Sequence, residues 1–371
     1  MNSKETVINL LKNANISINT GDKNSITVKD DEFYKKVLLE GSLGLGETYI
    51  NNQWECDSID NFIFNIFRGN LEDKYNAQLA FNVVKEKLID VMNPQSIFNS
   101  KKDISYHYDI GNDLFYNMLD ERMVYSCAFW KDAKNLKEAQ ENKLELICKK
   151  IGLKPGMRVL DVGCGWGPFM KYAAEKYGVT CTGLTLSKEQ IKLGEKLCQN
   201  LPVTFIYKDY REFEAEPFDR IVSIGMFEHV GHQNYSTYMK KMSSLLKDDG
   251  VFLLHTIGGL KTKPQGDPWI KKYIFPNGSL PSIQAIGKST ENIFYMEDWH
   301  DFGLDYDKTL MCWYENFNKS WDKLKDNYDE KFKRIWDYYL LSCAGAFRAK
   351  ELALWQIVFS KKRLEKLEYR L

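Results

Sequence analysis

The stretch D-V-G-C-G-W-G-P-F, residues 161–169, follows a short apolar run, Met157–Asp161, and opens a run with helical spacing, Phe169–Tyr177. Strand, glycine turn and helix in that order form the ligand loop of an open α/β sheet, where the helix start offers free N–H groups. Gly163, Gly165 and Gly167 carry no Cβ, so backbone there can approach a bound group closely. A dinucleotide fingerprint would read G-x-G-x-x-G, with its third glycine at position 168. That position is Pro168, and the spacing is G-x-G-x-G behind Asp161. Taken alone, the loop also reads as a tight packing turn.

Further strands are expected at Val179–Leu184, Val203–Tyr207, Phe218–Ile224 and Val251–His255, with helices at Ser187–Asn200 and Tyr235–Leu246. Strands alternating with helices predict a doubly wound, Rossmann-like parallel α/β domain. Ligands of such sheets lie beyond the carboxyl ends of the strands. Those ends carry G-L-T-L-S-K-E-Q (183–190), Asp209-Tyr210-Arg211, M-F-E-H-V-G (226–231) and L-L-H-T-I-G (253–258). The second strand end has no acid for a ribose diol, but Thr185, Ser187 and Gln190 can hydrogen-bond to hydroxyls. Ser187 with Gln190 also spells a helix capping box, and both roles stay open.

Residues 1–95 read as a smaller, mainly helical α+β domain. Helices are expected at Thr6–Leu11 and Phe33–Leu39, short strands at Ile16–Ile18 and Ile26–Val28, and turns at Gly21-Asp22 and Gly41–Gly46. Residues 58–92 read as two helices, with Ile59, Phe62, Ile63 and Ile66 on one face. The polar stretch Asn93–Asp103 marks the boundary, giving 1–95, a linker at 96–104, and a catalytic domain at 105–371.

The 371 residues include 51 Lys+Arg and 51 Asp+Glu, so no large basic field speaks for nucleic-acid binding. No apolar run approaches the roughly 20 residues of a membrane span. The N-terminus does not read as a signal peptide, so a cytoplasmic protein is expected. Eight cysteines form no C-x-x-C pair, and no structural metal or disulfide framework is expected.

The loop at 161–169 resembles the first motif of S-adenosylmethionine (SAM) methyltransferases. There the acid and the glycine backbone hold the methionyl end of SAM. With Y-S-C-A-F-W (125–130), the strand-end stretches, W-I-K-K-Y-I-F-P-N-G-S-L-P-S (269–282), D-W-H-D-F-G-L-D-Y-D-K-T-L (298–310) and C-A-G-A-F-R (343–348), the chain resembles the cyclopropane-fatty-acyl-phospholipid synthases. The likeness runs from about Ser105 to Phe359. The elements before Asn93 are similar to the smaller N-terminal domain of the bacterial enzymes.

The resemblance implies a SAM site at Tyr125, Ser126, Asp161, Val162, Gly163, Cys164, Gly165, Trp166, Gly167, Thr185, Leu186, Ser187, Gln190, Asp209, Tyr210 and Arg211. It implies transfer of a methylene group from SAM to the cis double bond of a phospholipid acyl chain. An isolated alkene is a poor nucleophile, so orientation has to supply much of the rate. Methyl addition leaves a carbocation, and the added methyl must then lose a proton. In the family a bound bicarbonate stands ready for it, at positions matching Cys127, Glu228, His255, Tyr306 and the backbone N–H of Ile257. Family descriptions also point to a late reactive cysteine, here Cys343; read from its neighbours, it belongs to a helix packed on small residues. Taken singly, His255 fits a satisfied core histidine, Glu228 a cap or surface acid, and Cys127 inert packing.

The same resemblance implies a phospholipid bilayer as partner, peripheral association with the inner face of the membrane, and a homodimer built through the N-terminal domain. Trp130, Phe129, Phe227, Trp269, Tyr273, Phe275, Trp313 and Tyr314 are candidates for apolar tunnel walls or for ordinary core. The basic C-terminal run from Lys361 is a candidate headgroup contact or a solvated face. A related lipid or small-molecule methyltransferase without ring closure is the alternative activity.

Overall fold

The computed structural model describes residues 3–22, 24–71, 111–264, 266–276 and 278–364. The chain divides into two compact units. One comprises Met1–Asn93, Gln265–Pro276 and Tyr306–Leu352; the other comprises Pro94–Pro264, Asn277–Asp305 and Ala353–Leu371. A single cut near residue 95 therefore does not separate them. Residues 265–276 and 306–352, expected in the catalytic domain, pack with the N-terminal segment because its helices need their apolar faces covered. The expected linker at 96–104 and the second helix of 58–92 lie outside the described residues.

In the first unit, β1 (Ser17–Ile18), β2 (Ser25–Val28) and β3 (Trp54–Glu55) form a small sheet in that order. Trp54 is fully buried against Phe33, Tyr49 and Phe62, with ring centroids 5.1–6.1 Å away. The glycines at 41–46 do not form the expected turn. Only Gly41 breaks the chain, at φ 57°; Ser42–Ile50 is a helix. Within that helix, a Cβ on Gly46 would lie 2.3 Å from the Trp269 ring, so that glycine serves close packing. The helix Ile59–Arg68 buries Ile59, Phe62 and Ile63, as its spacing predicts. It packs against the helix Glu330–Arg348, where a Cβ on Gly345 would meet the Asp60 carbonyl at 2.3 Å. Arg348 ties the two together, reaching Asp60 at 2.7 Å, Asn61 at 2.6 Å and Asp307 at 2.9 Å through two nitrogens.

The second unit is built on a seven-stranded sheet. Its strands are β4 (Arg158–Val162), β5 (Thr180–Thr185), β6 (Val203–Tyr207), β7 (Phe218–Ile224), β8 (Leu246–Gly259), β9 (Tyr295–Asp301) and β10 (Leu352–Ser360). Their order is β6-β5-β4-β7-β8-β10-β9. Strands β4 to β8 are parallel, and β9 runs antiparallel to β10. The last two strands had no signal in the alternation read from sequence. Successive residues of β8 bury on opposite faces: Phe252 and Leu254 pack with Tyr238, Met239 and Met242, while Val251 and Leu253 pack with Leu144, Phe169 and Met170. Helices cover both faces, so the sheet is doubly wound. Strand order reverses at β4, which opens a crevice at the carboxyl ends of β4 and β7.

Candidate active site

The crevice is a pocket walled mainly by the strand ends. Residues Asp161–Trp166 and Pro168 follow β4, Leu184–Leu186 and Gln190 follow β5, and Lys208–Tyr210 follow β6. Ile224–Met226 end β7, and Met123–Ser126 approach from the segment before the sheet. Gly163 has φ 86°, and a Cβ there would lie 2.6 Å from Met226 Cβ. The loop thus needs glycine both for its left-handed backbone and for contact with β7. Phe115, fully buried on the helix Asn112–Met118, stacks behind two wall residues, Tyr125 at 5.1 Å and Trp166 at 5.0 Å.

Three expected ligand residues do not line the pocket. Gly167 caps the helix Pro168–Tyr177 in left-handed conformation, and a Cβ on it would strike Phe205 at 2.6 Å. The Ser187 hydroxyl accepts from the Gln190 N–H at 3.2 Å, as a helix cap does. Arg211 turns back onto Asp209, donating to both carboxylate oxygens at 2.8 and 2.7 Å. Asp209 itself still lines the wall. Thr185 donates to the Gln190 carboxamide at 2.7 Å, so these two act as one unit.

The sequence reading missed Lys143. It lies on the helix Leu136–Lys150, is fully buried, and lines the same pocket as Asp161. Its ammonium donates to Ser126 Oγ at 2.8 Å. Burial lowers the Lys143 pKa to about 8, and burial raises Asp161 to about 7 against the pull of Lys143. A lysine among Leu144, Ile147 and Cys148 is an anomaly on a buried helix face, and that was the signal available.

Next to the pocket, a second constellation joins the ends of β7 and β8. Glu228 Oε1 accepts from the Ile257 N–H at 2.7 Å, while Glu228 Oε2 is buried without a hydrogen-bond partner among the described residues. Burial pushes this carboxyl up to about 7. His255 stands two residues before Ile257 and is 1% exposed. Burial and the charges of Lys143 and Lys150 hold its pKa well below the usual histidine range, so the ring is neutral. The Gln356 amide nitrogen lies 3.3 Å from His255 Nδ1. An amide donor there leaves the ring proton on Nε2, which has no partner. Two buried polar atoms, Glu228 Oε2 and His255 Nε2, therefore await something polar. Ile257 does not offer its N–H to a ligand in this arrangement, because Glu228 occupies it.

Cys127 is also in this unit, fully buried, with Sγ 3.2 Å from the Ala128 carbonyl. Phe129 packs on Phe302 and His300. Phe227 stacks on Tyr235 at 4.3 Å inside the core, the ordinary reading of that residue. Tyr306 belongs to the first unit, where it packs on Phe347 and Trp313. Cys343 also lies there, on the helix Glu330–Arg348 beside buried Ala344 and Gly345, with its thiol raised by burial to about 12. Lys361 and Lys362 both pair with Asp248. Among the described residues no group of His, Cys, Asp or Glu could hold a metal ion, and no helix is long and apolar enough to cross a membrane.

A doubly wound sheet with an acid and glycine loop after β4 and a pocket at the switch point defines a SAM-dependent methyltransferase. Solved structures agree: a mycolic acid cyclopropane synthase, crystallised with SAH and CTAB, is 37% identical with a TM-score of 0.65, covering 70% of this chain and 97% of that one. The pattern of the mycolic acid cyclopropane synthetase family matches residues 95–357, and the chain belongs to that family. It is 52% identical to the cyclopropane-fatty-acyl-phospholipid synthase of Escherichia coli K12 over 356 residues, 95% of this chain and 92% of that protein. A probable fatty acid methyltransferase of Pseudomonas putida is 38% identical over 70% of this chain and 68% of its own length.

Proposed function

We propose that the enzyme transfers a methylene group from SAM to the cis double bond of an unsaturated phospholipid acyl chain, yielding a cyclopropane acyl chain and S-adenosylhomocysteine (SAH). The observation that carries this reading is the identity of 52% along 95% of the chain to the Escherichia coli synthase. The residues fit SAM. Asp161 Oδ1 is a buried acceptor with no partner among the described residues, and a Cβ on Gly165 would enter open space, so the backbone there can be approached closely. SAM supplies an electrophilic methyl group.

The chain's own task is then to orient, to exclude water and to handle one proton. Glu228 and His255 would hold a bicarbonate ion, which supplies the base for the proton that ring closure releases. Two anions in contact repel, so Glu228 works as the neutral acid, donating from Oε2 while Oε1 keeps the Ile257 N–H. Its raised pKa, about 7, supports that state. The neutral His255 donates from Nε2 and does not compete for the proton. Cys127 belongs to the same ion site in this reading, and Cys343 takes no covalent part. We further place the enzyme as a homodimer at the inner face of the membrane, with the first unit engaging lipid.

The test is incubation with SAM, bicarbonate and vesicles of a cis-monounsaturated phospholipid, read by mass spectrometry and proton NMR. A gain of one CH₂ with loss of the alkene signal and appearance of cyclopropane protons is expected. The same gain as a branched alkene would instead assign a methyltransferase without ring closure. No lipid product, with SAH binding intact, would overturn the substrate class.

A further inference from the structure

Lys143 and Asp161 are opposite charges buried in one pocket, yet they do not meet. Lys143 is 0% exposed and Asp161 is 2% exposed, and both line the cavity with Ser126 and Gly163. Among the described residues the Lys143 ammonium donates to Ser126 Oγ, at 2.8 Å, and no carboxylate lies within ion-pair distance; Asp120 and Asp161 act on it only from farther away. Asp161 Oδ1 has no hydrogen-bond partner among the described residues. Burying a charge without a counter-charge is costly, and native proteins retain such groups where a ligand completes them. The ligand that completes both must carry an anion and a cation a short distance apart. A simple anion would satisfy Lys143 and be repelled by Asp161; a simple cation would do the reverse. An α-amino acid group satisfies both.

We propose that Lys143 is the carboxylate ligand of the amino-acid end of SAM, acting opposite Asp161, which takes the α-ammonium. Ser126 joins them. Its oxygen accepts from Lys143, so its own O–H is left to donate to the same carboxylate. Lys143 thereby fixes the direction of the Ser126 hydroxyl as well as supplying charge. The arrangement makes the pocket a reader of the zwitterion and not only of the adenosine. This rests on SAM as the methyl donor, and it assigns a residue that none of the strand-end motifs contains.

The test measures binding, not turnover. Wild-type enzyme and Lys143→Met are titrated calorimetrically with three ligands: SAH, decarboxylated SAH, and 5′-methylthioadenosine, which lacks the amino-acid end. Removing one charge-assisted contact should weaken SAH by roughly 10- to 100-fold. Decarboxylated SAH and 5′-methylthioadenosine should bind the variant and the wild type alike. Lys143→Arg should recover part of the SAH affinity. Equal weakening of all three ligands would mean that Lys143 only supports the fold, and no weakening of SAH would mean it does not touch the carboxylate; either result overturns the proposal. A crystal structure of the wild-type complex with SAH decides independently of how the variants fold. Lys143 Nζ within hydrogen-bond distance of the carboxylate supports the assignment, and a carboxylate held elsewhere refutes it. Loss of SAH binding by the wild type itself would count against the methyl donor, not against Lys143.

Discussion

Glu228 and Ile257 are joined across the ends of β7 and β8 by a hydrogen bond of 2.7 Å from the Ile257 N–H to Glu228 Oε1. The remaining carboxyl oxygen is buried and has no hydrogen-bond partner among the described residues. Because burial raises the group to about 7, the free oxygen carries a proton near neutrality and can donate.

Activity at fixed, saturating bicarbonate should therefore fall as pH rises through about 7, the range in which Glu228 ionises. Glu228→Gln keeps a donor at every pH and should lose this alkaline limb while keeping part of the rate. Glu228→Ala should lose roughly 10²- to 10³-fold in kcat with SAH affinity unchanged. Initial rates of labelled methyl transfer to vesicles across pH give the answer; an alkaline limb that survives in Glu228→Gln contradicts the assignment.

The same carboxyl sets a pH dependence of stability. Its pKa is about 7 folded against an ordinary glutamate value of 4.5, so the folded state binds the extra proton between those values. Stability from this group is complete below the lower value and is lost as pH rises through the upper one, by at most about 3 kcal/mol. Urea midpoints of wild type and Glu228→Gln should diverge over that window, with the variant gaining relative stability toward alkaline pH. Parallel midpoints would show that Glu228 ionises freely.

Gly163→Ala should weaken SAH binding at least about tenfold and cost roughly 1–3 kcal/mol, since the added Cβ meets Met226 at φ 86°. Met226→Ala in the same chain should recover only part of the loss, because it removes the collision and leaves the backbone strain. Full recovery of affinity would show that the left-handed backbone at Gly163 is unimportant.

Cys343→Ser should leave methyl transfer within about threefold of wild type. Its thiol is held near 12 by burial and by the negative charge of Asp267, so it is not a thiolate at working pH. A drop of roughly 10²-fold or more at unchanged melting temperature would restore a chemical role.

Arg348→Lys should destabilise the first unit by about 1–3 kcal/mol, because lysine cannot span Asp60, Asn61 and Asp307 from one planar fork. Denaturant midpoints measure this. The same packing predicts that removing residues 1–93 does not yield a clean catalytic fragment. It strips the cover from the helix Glu330–Arg348, whose Gly345 touches Asp60, and aggregation is the expected outcome on expression.

The parallel strands were legible because buried strands are short apolar runs ended by turn residues, as at Val251–His255 and, around Val159 and Leu160, at Met157–Asp161. Strands β9 and β10 were not, since Glu297, Asp298 and Gln356 interrupt any simple period. Asp298 is compensated by Lys150 at 3.3 Å and Gln356 by His255, partners that lie far away in sequence. The glycine loop was legible as a loop, but the division of labour within it was not. Gly163 and Gly167 look alike in sequence, and only the neighbouring side chains Met226 and Phe205 show that one lines the pocket and the other seats a helix.

The succession of the five parallel strands along the chain, the glycine loop and the family likeness are local properties of the chain, carried by spacing and composition, and the sequence by itself determined them. Electrostatics were decided elsewhere. Lys143 is separated by 17 residues from Ser126, to which it donates a hydrogen bond, and its charge acquires meaning only when burial removes water from around it and Asp161. Glu228 is likewise an ordinary acid until β8 brings the Ile257 N–H to one oxygen and burial isolates the other. Desolvation depends on what surrounds a group in three dimensions, and so the chemistry of both residues was set by the tertiary structure alone.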